Sequence, residues 1–272
     1  MQERRWLLPW LLLALLLSLA GCGQPATSGT ATPCPAPPSS STPAASPAFR
    51  LLVFSRTAAF RHDSIPAASA ALQKLAAEHQ VGIDFTENPT CFTEAALARY
   101  QAVVFLLTTG DVLDGTQQQA FEHYIRAGGG YVGVHSASDT EYDWPWYGGL
   151  VGAYFDRVHG HSAVVPATLH IVNRTHPSTS PLPATWQRSD EWYNFATNPR
   201  GQVNVLLTID EQTYRGGVMG SDHPLAWYHA YDGGRAWYTA LGHTIESYSE
   251  PLFLAHLWGG ITYSAGFSSS NG

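Results

Sequence analysis

The stretch Gly133-Val134-His135-Ser136-Ala137 is the part of the sequence best suited to chemistry. It has the form of a strand-to-helix elbow, in which a side chain is presented at the end of a central strand between small residues. Here that residue is a histidine, and a neutral imidazole can accept a proton or donate one hydrogen bond to a substrate oxygen. If a helix begins here, its dipole disfavours imidazolium and keeps His135 neutral. A nucleophilic Ser136 and a purely structural His135 are the alternatives.

Further candidates lie in three later motifs. In "SDEWYNF", Glu191 and Tyr193 share one face of an extended segment, so they can position a ligand hydroxyl or orient a histidine. In "SDHPLAW", the proline biases His223 to an extended conformation, and Asp222 could fix its tautomer. In "ALGHT", His243 lies at a strand end after a glycine. The alternative for Glu191 is a solvated residue at the end of a strand.

A divalent metal is suggested by His159-Gly160-His161. Two histidines at i and i+2 of a strand point the same way and could share a cation with Glu191 or His243. Such pairs also arise by chance in a chain with 12 histidines. We therefore assign no cofactor firmly from the sequence, and we leave the ligands of a divalent metal open.

The elements that position these residues begin at Phe49. Apolar runs predict strands at "FRLLVFS", "GIDFTE", "AVVFLLTTGD" and "GYVGVHS", with intervening helices capped by Ser64, Thr93 and Thr116. This alternation predicts right-handed βαβ units and a parallel sheet. After Gly152 the pattern predicts antiparallel strands that extend the sheet, followed by a last helix, "EPLFLAHLWGGITYSAG".

Ligands of open parallel sheets bind at the carboxyl ends of the strands. That rule places many polar or aromatic residues on one rim, although a rim without function is an alternative. The predicted rim holds Arg61, His62, Ser64, Asp111, His135, Ser136, Asp139, Tyr142 and Trp144.

The composition fits a single large domain and argues against a nucleic-acid partner. The chain has 272 residues, a net charge of −7 and only 14 basic residues, whereas nucleic-acid binding needs clustered Lys and Arg. Nine Trp, 13 Tyr and 12 His with low charge suit a pocket for a neutral, hydroxyl-rich ligand, and core packing explains many of the aromatics equally well.

The N-terminus predicts export. Residues 1–21 have a basic start and a short apolar run, which is typical of a signal peptide, and "LAGC" resembles a lipobox that implies lipidation of Cys22. Residues 22–48, rich in Pro, Ser and Thr, predict a tether that holds the domain off the membrane surface. An exported location would permit Cys34 and Cys91 to pair, but the sequence does not require it.

The ordered motifs "RHDSIPA", "GGGYVGVHSASDTEYDWPWYGGLVGAYF", "DEWYNF", "DHPLAWYH" and "GRAWYTALGHT" resemble the ThuA-like (trehalose utilisation) family over residues 49–266, leaving 267–272 as a tail. The resemblance implies an α/β fold of the class I glutamine amidotransferase type, a flavodoxin-like three-layer sandwich whose mainly parallel sheet is extended by antiparallel strands. It also implies carbohydrate catabolism, particularly of 3-keto sugars, without glutaminase chemistry because a histidine replaces the elbow cysteine. The matching positions are His62, His135, Ser136, Asp139, Glu191, Tyr193, His223 and His243. The motif "DRVHGHS" departs from the family pattern and leaves the ligand at His159 and His161 open.

Our leading hypothesis is a lipid-anchored enzyme that cleaves a 3-keto-disaccharide or glycoside. His135 or His243 would act as the base, and Glu191 or a second histidine such as His223 would protonate the leaving oxygen. Trp144, Trp146 and Trp192 could stack on sugar faces. The alternatives are a non-catalytic carbohydrate-binding lipoprotein and an anchored domain that docks onto a partner sugar dehydrogenase. Convergence of five residues in one pocket would favour catalysis, and their scatter would favour binding or scaffolding. These residues are His62, His135, Glu191, His223 and His243.

Overall fold

A computed structural model describes residues 33–36 and 47–267. The predicted signal peptide, the lipidation site Cys22, most of the tether and residues 268–272 of the tail lie outside the described residues. Among the helices that are described, none combines the length and the apolar character needed to cross a membrane.

The fold is built on one nine-stranded mixed sheet. Its strands are β1 (Arg50–Phe54), β2 (Gly82–Thr86), β3 (Ala102–Leu106), β4 (Gly130–Val134), β5 (Val165–Ile171), β6 (Thr185–Asp190), β7 (Asn204–Ile209), β8 (Pro224–Tyr231) and β9 (Gly234–Thr239). Their order across the sheet is β2-β1-β3-β4-β9-β8-β7-β5-β6. The pairs from β2 to β9 are parallel and those from β9 to β6 are antiparallel. The predicted fold class is therefore confirmed.

The two halves of the sheet meet where β4 pairs with β9, with Val134 opposite Thr239. Because neighbouring side chains of a strand point to opposite faces, Trp237 and Tyr238 on β9 contact different layers. Trp237 packs against the last helix at Gly260, and Tyr238 hydrogen-bonds to the turn that follows β4. Both faces of the sheet are thus covered, as in a three-layer sandwich.

Within residues 33–36 and 47–267, five α-helices accompany the sheet. They are α1 (Ile65–Glu78), α2 (Glu94–Leu97), α3 (Gly115–Arg126), α4 (Pro145–Val151) and α5 (Pro251–Ser264). Ser64 occupies the N-cap position of α1 without a side-chain capping bond, whereas the Thr93 side chain accepts from the Ala96 amide at α2. The prediction of Thr116 as the cap of α3 is wrong. Asp114 caps this helix because its carboxylate, two residues earlier, forms a capping box with Gln117.

A disulfide joins Cys34 to Cys91. Cys91 ends a short 3-10 helix that begins at Pro89, and its sulfur lies in the buried part of the domain. The bond therefore ties one described residue of the predicted tether to the α/β domain.

Candidate functional site

The elbow after β4 places His135 over the edge of the sheet. The backbone turns into a 3-10 helix, His135–Ser138, and His135 has a φ of 52°, in the left-handed region that non-glycine residues seldom occupy. The Tyr238 hydroxyl donates to the His135 carbonyl at 2.7 Å, which helps to hold this conformation. The predicted elbow geometry is present. A four-residue turn replaces the predicted helix, so the dipole argument for a neutral His135 does not apply.

His135 belongs to a cluster of four side chains contributed by distant parts of the chain. Their candidate ligand atoms all lie within 4.8 Å of one another. His62 comes from the loop after β1, Glu191 from the residue after β6 and His243 from the loop after β9. The Glu191 Oε2 atom lies 3.4 Å from His135 Nε2 and 3.1 Å from His243 Nδ1. The four predicted site residues His62, His135, Glu191 and His243 are thus brought together.

The tautomer of His135 follows from one hydrogen bond. His135 Nδ1 lies 2.7 Å from the carbonyl oxygen of Ala240. Since a carbonyl only accepts, Nδ1 must carry the proton, and in the neutral ring the Nε2 lone pair faces His243 Nδ1 at 3.2 Å. The fully buried ring is therefore held with an acceptor directed into the cluster.

Glu191 is oriented by a further histidine. His161 Nδ1 donates to the Ser162 carbonyl at 2.8 Å and lies 2.9 Å from Glu191 Oε1. The Tyr193 ring packs on His135 with centroids 4.3 Å apart. As expected, Glu191 and Tyr193 face the same side, while Trp192 is buried and donates to the Val165 carbonyl.

Burial and mutual charge set the protonation of the cluster. Burial opposes ionisation of Glu191, but the neighbouring imidazoles of His135 and His243 outweigh it and hold the Glu191 pKa well below its ordinary value. Burial, with the neighbouring His135 and His243, lowers the pKa of His62 to about 2. Burial also acts against protonation of His243, yet the Glu191 carboxylate overcomes it and raises the His243 pKa. The site thus combines a carboxylate that ionises readily, a His62 that resists protonation and a His243 that takes up a proton more readily than a free imidazole.

Asp190, which the sequence analysis missed, fixes the position of two members of the cluster. Its fully buried carboxylate accepts from the amides of Gly242, Glu191 and His243 at 2.8, 3.0 and 3.1 Å. It also pairs with buried Arg188 at 3.2 Å. Its place directly before Glu191 in "SDEW" was the available signal, but nothing local to that motif indicates its contact with the His243 loop.

A cleft of about 420 Å³ lies beside the cluster. Phe155 connects the two, because it lines the cleft and packs on Tyr193 with centroids 4.3 Å apart. The Tyr142 hydroxyl donates to Asp139 at 2.6 Å, and burial raises the Asp139 pKa. The lining residues are Ala59, Gly110, Asp111, Asp139, Tyr142, Asp143, Phe155 and Arg157. The predicted Asp139 and Tyr142 thus lie in a polar cleft suited to hydroxyl groups.

Ser136 is also placed at the cluster. It is fully buried, and its Oγ lies 3.5 Å from His62 Nδ1. This contact makes Ser136 a neighbour that orients His62.

The structure does not bring His223 into the cluster. Its ring nitrogens lie 2.8 Å from the Tyr193 carbonyl and 2.8 Å from Glu211, and Asp222 pairs with Arg200 instead of fixing the His223 tautomer. Burial lowers the His223 pKa. His223 therefore supports the segment that carries Tyr193. Its position outside the cluster gives no geometric support for a catalytic role.

Trp144 and His159 also lie outside the cluster. Trp144 is buried, donates to Glu122 of α3 and stacks on Trp146 at 5.1 Å, so its face is not open to a sugar. His159 is turned away because Gly160 adopts a left-handed φ of 68°, and His159 pairs with Asp156 at 2.6 Å. The expectation that His159 and His161 point the same way is thus not met, and only His161 contacts Glu191.

The fold and the cluster define an α/β sandwich protein with a histidine–carboxylate site at the carboxyl ends of its strands. The profile of the ThuA family, described as trehalose utilisation, matches residues 50–264, and the chain belongs to this family. No match was found among curated proteins.

Solved structures share the fold. A ThuA-like protein from Bacteroides uniformis is 23% identical with a TM-score of 0.70, covering 86% of this chain and 98% of that one. A ThuA-like protein from Parabacteroides merdae is 20% identical with a TM-score of 0.68, covering 84% and 93%. A β-galactosidase from Bacillus circulans sp. alkalophilus is 11% identical with a TM-score of 0.53, covering 80% of this chain and 31% of that one.

Proposed function

We propose that the protein is an enzyme that acts on a 3-keto-disaccharide or 3-keto-glycoside by histidine-based acid/base chemistry. The observation that carries the proposal is the convergence of His62, His135, Glu191 and His243 within 4.8 Å beside a polar cleft. A binding protein needs no such set of proton-carrying groups, because hydroxyl recognition is served by fixed donors and acceptors.

The proposed reaction uses the acidity of a C–H bond next to a ketone. A ring nitrogen of the cluster removes the proton at C2, beside the C3 ketone, and the electron pair forms the C1–C2 double bond as the C1–O bond breaks. The leaving oxygen takes a proton from an acid of the cluster. His135 Nε2 suits the base because Ala240 fixes its lone pair inward, and His243 suits the acid because Glu191 raises its pKa.

The test compares turnover of a 3-keto-disaccharide by the purified full-length chain and two variants. We expect His135→Ala to lower kcat by roughly 10²–10⁴-fold, as for loss of a general acid or base. The matched control is His159→Ala, which removes an exposed histidine outside the cluster and should leave turnover unchanged. If the wild type binds the sugar without turning it over, the proposal of an enzyme is overturned and a carbohydrate-binding lipoprotein is favoured. Unchanged turnover in His135→Ala would overturn the role of the elbow.

We also propose that the chain is exported and anchored to the membrane through lipid on Cys22. The Cys34–Cys91 disulfide supports this, since structural disulfides persist in oxidising compartments. Cell fractionation tests the proposal: Cys22→Ala should move the protein from the membrane to the soluble fraction. An unchanged membrane fraction would refute lipidation at this residue.

A further inference from the structure

We propose that the cluster binds one divalent first-row transition cation. The ligands are His62, His135, Glu191 and His243. This inference goes beyond the proposed activity and does not depend on it, because metal binding can be measured in the absence of any sugar.

The spacing of the ligand atoms fits a metal. His135 Nε2, His243 Nδ1 and Glu191 Oε2 are separated by 3.1, 3.2 and 3.4 Å. A tetrahedral cation with bonds of about 2.0–2.1 Å holds its ligand atoms about 3.3–3.4 Å apart. Imidazole nitrogen with one carboxylate oxygen is a donor set that suits zinc and its first-row neighbours.

The hydrogen bonds leave the cluster with more acceptors than protons. His135 Nδ1 donates its hydrogen bond to the Ala240 carbonyl. In the neutral ring Nε2 therefore presents a lone pair to Glu191 Oε2, which is itself an acceptor. The single N–H that His243 Nδ1 can offer serves one of these two atoms. A cation between them would satisfy all three at once.

The surroundings also resemble those of metal ligands. Such histidines usually donate the other ring N–H to a backbone carbonyl or carboxylate, as His135 does to Ala240. Ligating carboxylates usually have a polar partner of their own, and His161 Nδ1 lies 2.9 Å from the second oxygen of Glu191. The His243 backbone is fixed by Asp190.

The sequence suggested a different ligand set. His159 and His161 were the histidines paired for a metal, but the left-handed Gly160 separates them. In the structure His161 reaches the cluster only through the second oxygen of Glu191, which makes it a residue that positions a ligand.

The test is metal binding by the untagged full-length chain after chelation and dialysis. Zn²⁺ and Mn²⁺ are each titrated in a calorimeter, and bound metal is counted by elemental analysis. We expect about one equivalent of at least one of these cations in the wild type and in the control His159→Ala. His243→Gln and Glu191→Gln should weaken binding roughly 100-fold or more, since even residues that only support a ligand contribute 10–100-fold.

Two results would overturn the metal site. One is less than 0.1 equivalent of either cation in the wild type, and the other is unchanged binding in both variants. Circular dichroism of each variant separates loss of a ligand from loss of the fold. His243 is the safer position because its side chain is 25% exposed, whereas that of His135 is fully buried.

Chelation separates this proposal from the direct histidine mechanism. A bound cation occupies His135 Nε2, the nitrogen that the direct mechanism uses as its base, so by that mechanism EDTA should raise turnover and added metal should lower it. A fall of turnover in EDTA that added metal reverses would overturn His135 as the base. If the apo-protein turns over the sugar and added metal inhibits it, the histidines act as bases and the cation is not the working state. Absence of turnover with stoichiometric metal binding would defeat the enzyme proposal while leaving the metal site intact.

Discussion

Asp190→Asn is the substitution that most sharply tests how the site is built. The change keeps the size of the side chain but removes one acceptor and the negative charge. Asp190 accepts three backbone amides, those of Gly242, Glu191 and His243, and pairs with Arg188. The amide nitrogen of asparagine would face donors, so at least one contact becomes repulsive or is lost.

The magnitude follows from burial. The side chains of Asp190 and Arg188 are 0% and 3% exposed, so the substitution leaves a buried guanidinium with Glu250, at 3.2 Å, as its remaining carboxylate partner. Breaking a buried ion pair costs about 3–5 kcal/mol. We expect the free energy of unfolding to fall by about this amount. The matched control Asp222→Asn breaks a pair with Arg200 that is more than a third exposed on both sides, and should cost about 0.2–1 kcal/mol.

The assay is urea unfolding of the full-length variants, followed by tryptophan fluorescence and by circular dichroism, so that coincidence of the two probes checks two-state behaviour. Adding Arg188→Met to Asp190→Asn should restore part of the loss, because the unpaired buried charge is then gone. A loss of unfolding free energy for Asp190→Asn no larger than that for Asp222→Asn would refute the reasoning. A double variant less stable than Asp190→Asn alone would refute it as well.

Three further predictions concern the rest of the domain. Burial lowers the pKa of His256 to about 3, so as the pH falls the unfolded chain binds a proton at this residue before the folded chain does. The contribution of His256 to stability is therefore full above pH 6.5 and falls by about 1.4 kcal/mol per pH unit between pH 6.5 and 3. Urea titrations from pH 8 to 5 measure this slope, and a His256→Gln variant with the same slope would contradict the prediction. Reduction of the Cys34–Cys91 bond, which spans 57 residues, should lower stability by about 4 kcal/mol by the loop-entropy relation; an unchanged melting temperature in reductant would count against it. Gly260→Ala would place a Cβ 2.3 Å from the Trp237 ring, so we expect a loss of about 1–3 kcal/mol in urea unfolding, and a neutral result would show that α5 can shift.

The sequence alone predicts those strands and turns that depend on residues close together in the chain. Continuous apolar runs predict the buried strands β1, β3 and β4, and the glycine before His135 predicts the elbow, because these features depend on neighbours along the chain. The rule that ligands gather at the carboxyl ends of strands places His62 and His135 correctly at the same edge.

The sequence was insufficient where a side chain's partner lies far along the chain. His223 and His243 both follow small or polar residues at strand ends, yet one contacts Glu211 and the other Glu191. Which of the two joins the cluster depends on where the segment after β6 crosses the sheet. The role of Asp190 in fixing the His243 loop could not be inferred for the same reason, since Gly242 and His243 are more than 50 residues away along the chain.

The pairing of β4 with β9 has a consequence for how the protein is made. His135 and the Ala240 carbonyl that fixes its ring are 105 positions apart, and at about 5–20 residues per second a ribosome needs about 5–20 s to add that length. During this interval the edge of β4 has no partner, and an unpaired edge invites association with other chains. The completed site therefore appears only after β9 and the loop that follows it have been added, and pairing with β9 removes the free edge of β4.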